Sequence, residues 1–252
     1  MRYSGVFRLY EKIFKPSALL QHKKEVEFYR SFLSSPELIF DIGANDGHKT
    51  AAFLEIAKRI VCIEPDDENM RLLNIRFRKN KNVFTEKIAA SDANGTATMH
   101  IHHATSAFNT LSPKWKELLE KQGQERWNET INFTATKEIK TRTLDDLILQ
   151  YGKPGFIKID VEGFEPWVLR GLSTTIDCIS FESLLPEYKE ECMECLRLIN
   201  RLDTNATFNI AKEEKLLLPK FVDLEAIKNW IDSNNNANTI EVIVKMNSLL
   251  NN

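Results

Sequence analysis

The chain has 252 residues, 42% of them hydrophobic and 28% charged. That is enough apolar matter for a core and excludes global disorder. A formal net charge of −2 gives no overall pull toward nucleic acid or an acidic membrane.

The elements read as follows in chain order. Residues 1–35 form a helical segment. "VFRLYEKIF" and "ALLQHKKEVEFYRSFL" carry apolar residues at helical spacing on either side of Pro16. The first of these suits a helix covering a sheet edge. "MRYSGVFRLYEKIFK" lacks the apolar core of a signal peptide, and no apolar run in the chain would span a bilayer, so a cytoplasmic protein without a transmembrane segment is expected. After "SSPE", strands and helices alternate: "ELIFD", "HKTAAFLEIAKR", "IVCIEP", "DENMRLLNIRFRKN", and a third strand within "NVFTEKIAAS". This rhythm predicts an α/β fold with a mostly parallel sheet covered on both faces.

The middle of the chain is less regular. "GTATMHIHH" alternates like a strand and is expected to form a hairpin with what precedes it. "SPKWKELLEKQGQERW" is a helix capped by Ser112. "TINFTATKEIKTR" reads as one or two strands, and "TLDDLILQYG" as a short helix ended by Gly152. Residues 93–152 are taken as an insertion within one domain spanning 36–248. The strand–helix rhythm then returns with "FIKID", "EPWVLRGL", "DCISFES" and "PEYKEECMECLRLINRL". "ATFNIAKEEKL" and "TIEVIVKM" read as strands flanking the helix "DLEAIKNWIDS", and the tail "NSLLNN" is expected to fray.

"FDIGANDGHKT" (residues 40–50) resembles a phosphate loop at first sight. A Walker loop places four residues between its glycines and Lys directly after the second; here only three residues lie between Gly43 and Gly47, and His48 precedes Lys49. The dinucleotide fingerprint needs glycine where Asn45 stands. Asp41, at the strand's carboxyl end, would repel a pyrophosphate and favour a cation. S-adenosylmethionine meets that requirement, since it carries a sulfonium and an ammonium and no phosphate. Glu64 ends the second strand, twenty-three residues on, where an acid can accept hydrogen bonds from both ribose hydroxyls.

With "CIEP", "IAASDANGTATMHI", "TLDDLI" and above all "FIKIDVEGFEPWVLRGL", the chain resembles the FkbM family of class I S-adenosylmethionine-dependent methyltransferases, from about Leu38 to Leu172. The resemblance implies a doubly wound, Rossmann-like sheet of seven mostly parallel strands with an antiparallel final strand. It implies that Asp41, Gly43, Asn45, Gly47 and Thr50 build the methionine-side loop, that Glu64 holds the ribose, and that adenine lies near Ile88 and Ala89. Asp92 is read as capping the turn before Gly95. The implied activity is O-methyl transfer to a hydroxyl of a sugar, glycan or secondary metabolite, with no nucleic acid as partner. The oligomeric state is left open.

The chemistry is expected at Asp160 and Glu162, beyond the fourth strand. Methyl transfer needs an aligned acceptor and a base, and a carboxylate beside another carboxylate suits the base. Lys158 is costly within a buried strand unless paired; it could neutralise Asp160 or Glu182, or orient the acceptor. Glu182 is placed at the end of the fifth strand. Asp160 and Glu182 could alternatively hold magnesium, as acids do in catechol-type methyltransferases. Asp145, Asp146, Glu165 and Pro166 read as helix-start residues. "SAFNT" (residues 106–110) is expected to line the acceptor pocket.

On a strand His100 and His102 share a face and His103 opposes them, which could bring two imidazoles near the acceptor or a metal; an exposed hairpin strand is the plainer reading. Cys192 and Cys195 have no second pair to complete a zinc site. The basic run from Arg71 to Lys81 reads as a solvated helix face. Two other functions stay open: a nicotinamide-dependent oxidoreductase on a similar fold, and a non-catalytic cofactor-binding partner subunit.

Overall fold

The computed structural model describes residues 16–234, 236 and 238–246. The expected helix "VFRLYEKIF" and the tail "NSLLNN" lie outside them. The described chain opens with α1 (Pro16–Arg30), followed by β1 (Leu38–Ile42), α2 (His48–Phe53), β2 (Arg59–Ile63), α3 (Asp67–Phe77) and β3 (Val83–Glu86). Next come β4 (Ala89–Ala90), β5 (Gly95–Ile101), α4 (Pro113–Trp127), β6 (Ala135–Arg142) and α5 (Leu144–Tyr151). The last part holds β7 (Phe156–Ile159), α6 (Glu165–Arg170), β8 (Cys178–Leu185), α7 (Lys189–Leu202), β9 (Thr207–Lys212), β10 (Lys215–Leu216), α8 (Leu224–Ser233) and β11 (Asn238–Lys245).

The main sheet has the order β10-β9-β11-β8-β7-β1-β2-β3. β8, β7, β1, β2 and β3 run parallel, and β11 is antiparallel to both β8 and β9. This is the mostly parallel, doubly wound sheet with an antiparallel last strand that was expected; the two-residue β10 adds a hairpin at the β9 edge.

The strands are apolar on both faces because both faces are covered. Phe40, Ile42, Val61, Ile63, Ile157 and Ile159 join one core with α7 and α8. Ile39, Ile60, Cys62 and Phe156 join the other, beneath α1 and α2. On that side Tyr29 sits edge-on to Phe53 at 4.8 Å.

The middle region builds a second sheet, β4-β6-β5. β5 pairs antiparallel with β6, which follows it by more than thirty residues, and not in a hairpin with what precedes it. The reason is local: "ASDANG" before β5 turns away after the two residues of β4, and β4 itself pairs with β6. Ser112 caps α4 by accepting from the Trp115 N–H, and Thr143 caps α5 by accepting from the Asp146 N–H.

Candidate active site

The turn after β1 begins with backbone hydrogen bonds. The N–H groups of Gly43 and Ala44 donate to the Ile63 carbonyl at 2.9 and 3.1 Å. Gly43 has φ +81°, and a Cβ there would lie 1.8 Å from the Asp160 carbonyl oxygen. Only glycine lets the β1 and β7 turns touch. Asn45, at φ +49°, donates its N–H to Glu64 Oε2 at 2.8 Å, while Asp66 N–H donates to Glu64 Oε1 at 2.8 Å. Glu64 therefore ties the β1 loop to the end of β2. Burial pushes its carboxyl up to about 7 despite these two donors.

Together these turns form a cleft. Gly43, Asn45, Glu64 and Ala89 line it, with Asp160 and Glu162 at one end and Asn69 of α3 at the wall. Its charged lining is Glu64, Asp160 and Glu162, and no Lys, Arg or His contributes. Asn69 had no signal in the sequence. Its Oδ1 is buried without a hydrogen-bond partner, which marks a place for a ligand donor.

The remaining loop residues lie behind the cleft. Asp41 faces α2, accepts from Thr50 Oγ1 at 2.5 Å, and is pushed up to about 6 by burial. Strand alternation explains this: Asp41 shares the face of Ile39, and Ile42 takes the opposite one. Gly47, at φ +80°, starts α2 against Leu73 and Phe77. Ile88 belongs to the core. His48 turns to Glu25 of α1, with Nε2 2.9 Å from Oε1.

Lys158 is fully buried on β7, and its Nζ lies 3.2 Å from both Asp160 Oδ2 and Glu182 Oε1. Burial works against the ammonium, but Asp160, Glu182 and Glu241 hold it charged, well above the ordinary lysine range. Glu182 is not at a strand end: β8 runs on to Leu185 because β11 continues to pair with it. Burial and Asp160 push Glu182 up to about 7. Glu165 starts α6 and accepts from the Val161 and Gly163 N–H groups at 3.1 and 3.3 Å. Glu162, at φ +54°, is raised well above the usual carboxylate range by burial, then Asp160 and Glu182.

A second hollow lies across the β7 turn. Phe108, Trp115, Trp127 and Tyr188 form aromatic walls, and Asp160, Glu162, Glu165 and Glu182 supply carboxylates. "SAFNT" divides between the two cavities: Ser106, Asn109 and Thr110 cover the first cleft, and Phe108 lines the second. Thr110 Oγ1 donates to the Glu162 carbonyl at 2.7 Å, and Asn109 Nδ2 reaches Asp66 Oδ2 at 3.4 Å.

The sheet order, the glycine turn after β1 and the acid ending β2 define a class I methyltransferase architecture. The chain belongs to the FkbM methyltransferase family: residues 41–236 match the "Methyltransferase FkbM domain". Among solved structures it resembles methyltransferase FkbM from Methylobacillus flagellatus KT, at 14% identity and a TM-score of 0.50. That likeness covers 90% of this chain and 50% of the other, so the chain spans about half the length of that structure. Precorrin-6y C5,15-methyltransferase from Geobacter metallireducens GS-15 shares 13% identity at a TM-score of 0.44, covering 92% of this chain and 86% of the other. The plantazolicin methyltransferase BpumL, solved with a desmethylPZN analog and SAH, shares 11% at 0.43, covering 95% and 89%. No curated protein matches the chain. Among the described residues, no helix is long and apolar enough to cross a membrane.

Proposed function

We propose that this protein is an S-adenosylmethionine-dependent O-methyltransferase acting on a hydroxyl of a sugar or a comparable polyhydroxylated metabolite. One observation carries the reading: Asp160 and Glu162 border both the cofactor-type cleft and the aromatic hollow, so a single turn can align a donor on one side with an acceptor on the other. The cleft fits the cofactor. It offers carboxylates and no cationic side chain, which suits a sulfonium and disfavours a phosphate. The unpaired Asn69 Oδ1 can take an adenine or ribose donor.

When bound, S-adenosylmethionine supplies an electrophilic methyl group. The chain's own residues do the rest. Gly43 and Asn45 would hold the methionine portion through backbone, Glu64 would accept from the ribose hydroxyls, and Ala89 would lie beside the adenine. Asp41 and Thr50 brace the loop from behind, and Gly47 lets α2 begin. Aromatic walls stack on the apolar faces of a sugar ring, while Asp160 and Glu182 accept from its hydroxyls. Asp160 or Glu162, on the turn that both cavities share, takes the acceptor proton. Lys158 fixes Asp160 and Glu182. Its ammonium sits between the carboxylates where magnesium would bind, so no metal is assigned there. Four carboxylates around the hollow disfavour an anionic acceptor, nucleic acid included. Residues 93–152 are read as an elaboration of one domain that covers both cavities, in a cytoplasmic enzyme.

The test is mass spectrometry of a glycan and metabolite pool incubated with the enzyme and methyl-labelled cofactor. Label should enter a hydroxyl position. Asp160→Asn and Glu162→Gln should each lower turnover about 100-fold or more, with S-adenosylhomocysteine affinity kept within about threefold. Unchanged turnover in both variants, or NADH binding without S-adenosylhomocysteine binding, would refute the reading.

A further inference from the structure

β5 ends at Ile101, so strand alternation no longer separates the next two residues. His102 and His103 lie in the bend that follows, with ring centroids 4.6 Å apart. Glu129, just past the C-cap of α4 at Asn128, comes up beside them. One ring nitrogen from each histidine and one Glu129 carboxylate oxygen all lie within 4.8 Å of one another.

The hydrogen bonds fix which nitrogens are free. His102 Nδ1 is 2.8 Å from the Asn132 carbonyl oxygen, and His103 Nδ1 is 2.8 Å from the Ala104 carbonyl oxygen. A carbonyl only accepts, so both Nδ1 atoms carry hydrogen. In the neutral rings both Nε2 atoms then present lone pairs. This is the tautomer that outer-shell carbonyls impose on metal-binding histidines. His102 Nε2 stands 3.4 Å from Glu129 Oε1. That separation exceeds a good hydrogen bond, and it equals the spacing of two ligands about 2.1 Å from one tetrahedral ion, roughly 3.4 Å.

We propose that His102, His103 and Glu129 form a binding site for a divalent transition metal of the zinc type, which fastens the loop over the cofactor cleft to the connection after α4. Two imidazoles and a carboxylate suit zinc, leaving at least one position for water. The chain's softer ligands are withdrawn from competition. All four cysteines are buried, and burial pushes the Cys192 thiol up to about 12. The clip has a mechanical consequence. Asn109 accepts from the His102 N–H at 2.9 Å and donates to the His103 carbonyl at 3.0 Å, and the same Asn109 lines the cleft. Ordering the two histidines orders that residue. The site stands independently of the proposed acceptor, and its test does not use turnover.

Calorimetric titration of zinc chloride into the chelator-treated full-length chain should show one site with an affinity better than about 100 µM. His102→Ala, His103→Ala and Glu129→Gln should each weaken it at least about tenfold, while Asp160→Asn leaves it unchanged. Cobalt(II) titrated into the unaltered protein gives a readout free of folding artefacts: visible absorption of a low-coordinate nitrogen–oxygen site, bleached by zinc. Zinc should also slow amide exchange across residues 102–112. Absence of saturable binding, a purely hexaaqua cobalt spectrum, or binding that survives in the His102→Ala/His103→Ala double variant would overturn the proposal.

Discussion

Lys158→Met is the sharpest probe of the charge cluster behind the active-site turn. It keeps the length of the stem and removes the ammonium. At 3.2 Å from each partner and an effective dielectric of about 20, each attraction amounts to about 5 kcal/mol. The Asp160 and Glu182 side chains are 28% and 32% exposed, so solvent screens part of this. Without the ammonium one carboxylate will take up a proton, which bounds the loss. A net destabilisation of about 3–4 kcal/mol at pH 8 is expected. The sign of the pH dependence follows. Lys158 has a raised pKa, so its contribution is present below the ordinary lysine value and is undiminished between pH 6 and 8. In the variant the freed carboxylates bind protons more tightly folded than unfolded, so folding takes up a proton and stability rises as pH falls. One proton over two pH units is worth at most about 2.7 kcal/mol; Glu182, already raised to about 7, takes up about half of that in the unaltered protein, so the cost should shrink by about 1 kcal/mol at pH 6. Urea unfolding followed by circular dichroism at the two pH values measures both quantities. A loss under about 1 kcal/mol at pH 8, or an equal loss at both, would refute the reasoning.

Gly43→Ala should cost at least about 2 kcal/mol, seen as a lower melting temperature, and abolish S-adenosylhomocysteine binding by calorimetry, because the new methyl meets the Asp160 carbonyl. Asn69→Ala should weaken S-adenosylhomocysteine about 5- to 20-fold, the worth of one buried hydrogen bond, while shifting ligand-free stability by less than about 1 kcal/mol. His48→Gln should act only in a pH window. The Glu25 hydrogen bond raises the His48 pKa from 6.5, so that contribution is present below 6.5 and is lost as pH rises through the folded value. Glu25 is lowered from 4.5: burial opposes this, and the His48 hydrogen bond leads the groups that outweigh it. Its contribution is present above 4.5 and is lost on acidification. Denaturant titrations should therefore show a cost of about 0.5–1 kcal/mol near pH 5.5 and almost none at pH 8.5.

The alternation of strands and helices along the chain and the family were legible because they rest on local patterns: apolar runs closed by Asp41, Glu64 and Asp160, and the long stretch around "KIDVEG". The pairing of Lys158 was legible from cost alone, since a lysine inside an apolar strand must find carboxylates. Pairing at long range was not. β5 could be seen as a strand, but its partner β6 lies beyond a whole helix. Orientation was the other gap. Alternation along β1 already separated Asp41 from the face bearing Ile42, yet its position at the strand end invited a role in the cleft; the structure turns it to Thr50. Asn69 carries no motif. Its significance comes from packing: α3 brings its side chain to a hydrogen bond with Glu64 and leaves its Oδ1 without a partner.

The contact between Gly43 and the Asp160 carbonyl links these findings. It makes the β7 turn a wall of the cofactor-type cleft, while Glu162 and Asp160 also face the aromatic hollow. Behind that turn Asp160, Glu182, Asp41 and Glu241 surround one buried ammonium, and burial first, then the neighbouring acids, raises Asp41 and Glu182. With Lys158 paired behind the turn, the charged side chains lining the cleft itself are carboxylates alone. A donor that carries its charge on sulfur enters such a cleft favourably, and a phosphate-bearing one does not. On the proposed reading, the choice of donor is set as much by charges behind the loop as by the groups that touch it. On that reading Asp41, paired with Thr50 outside the cleft lining, would act through the loop from behind and not across an open cleft.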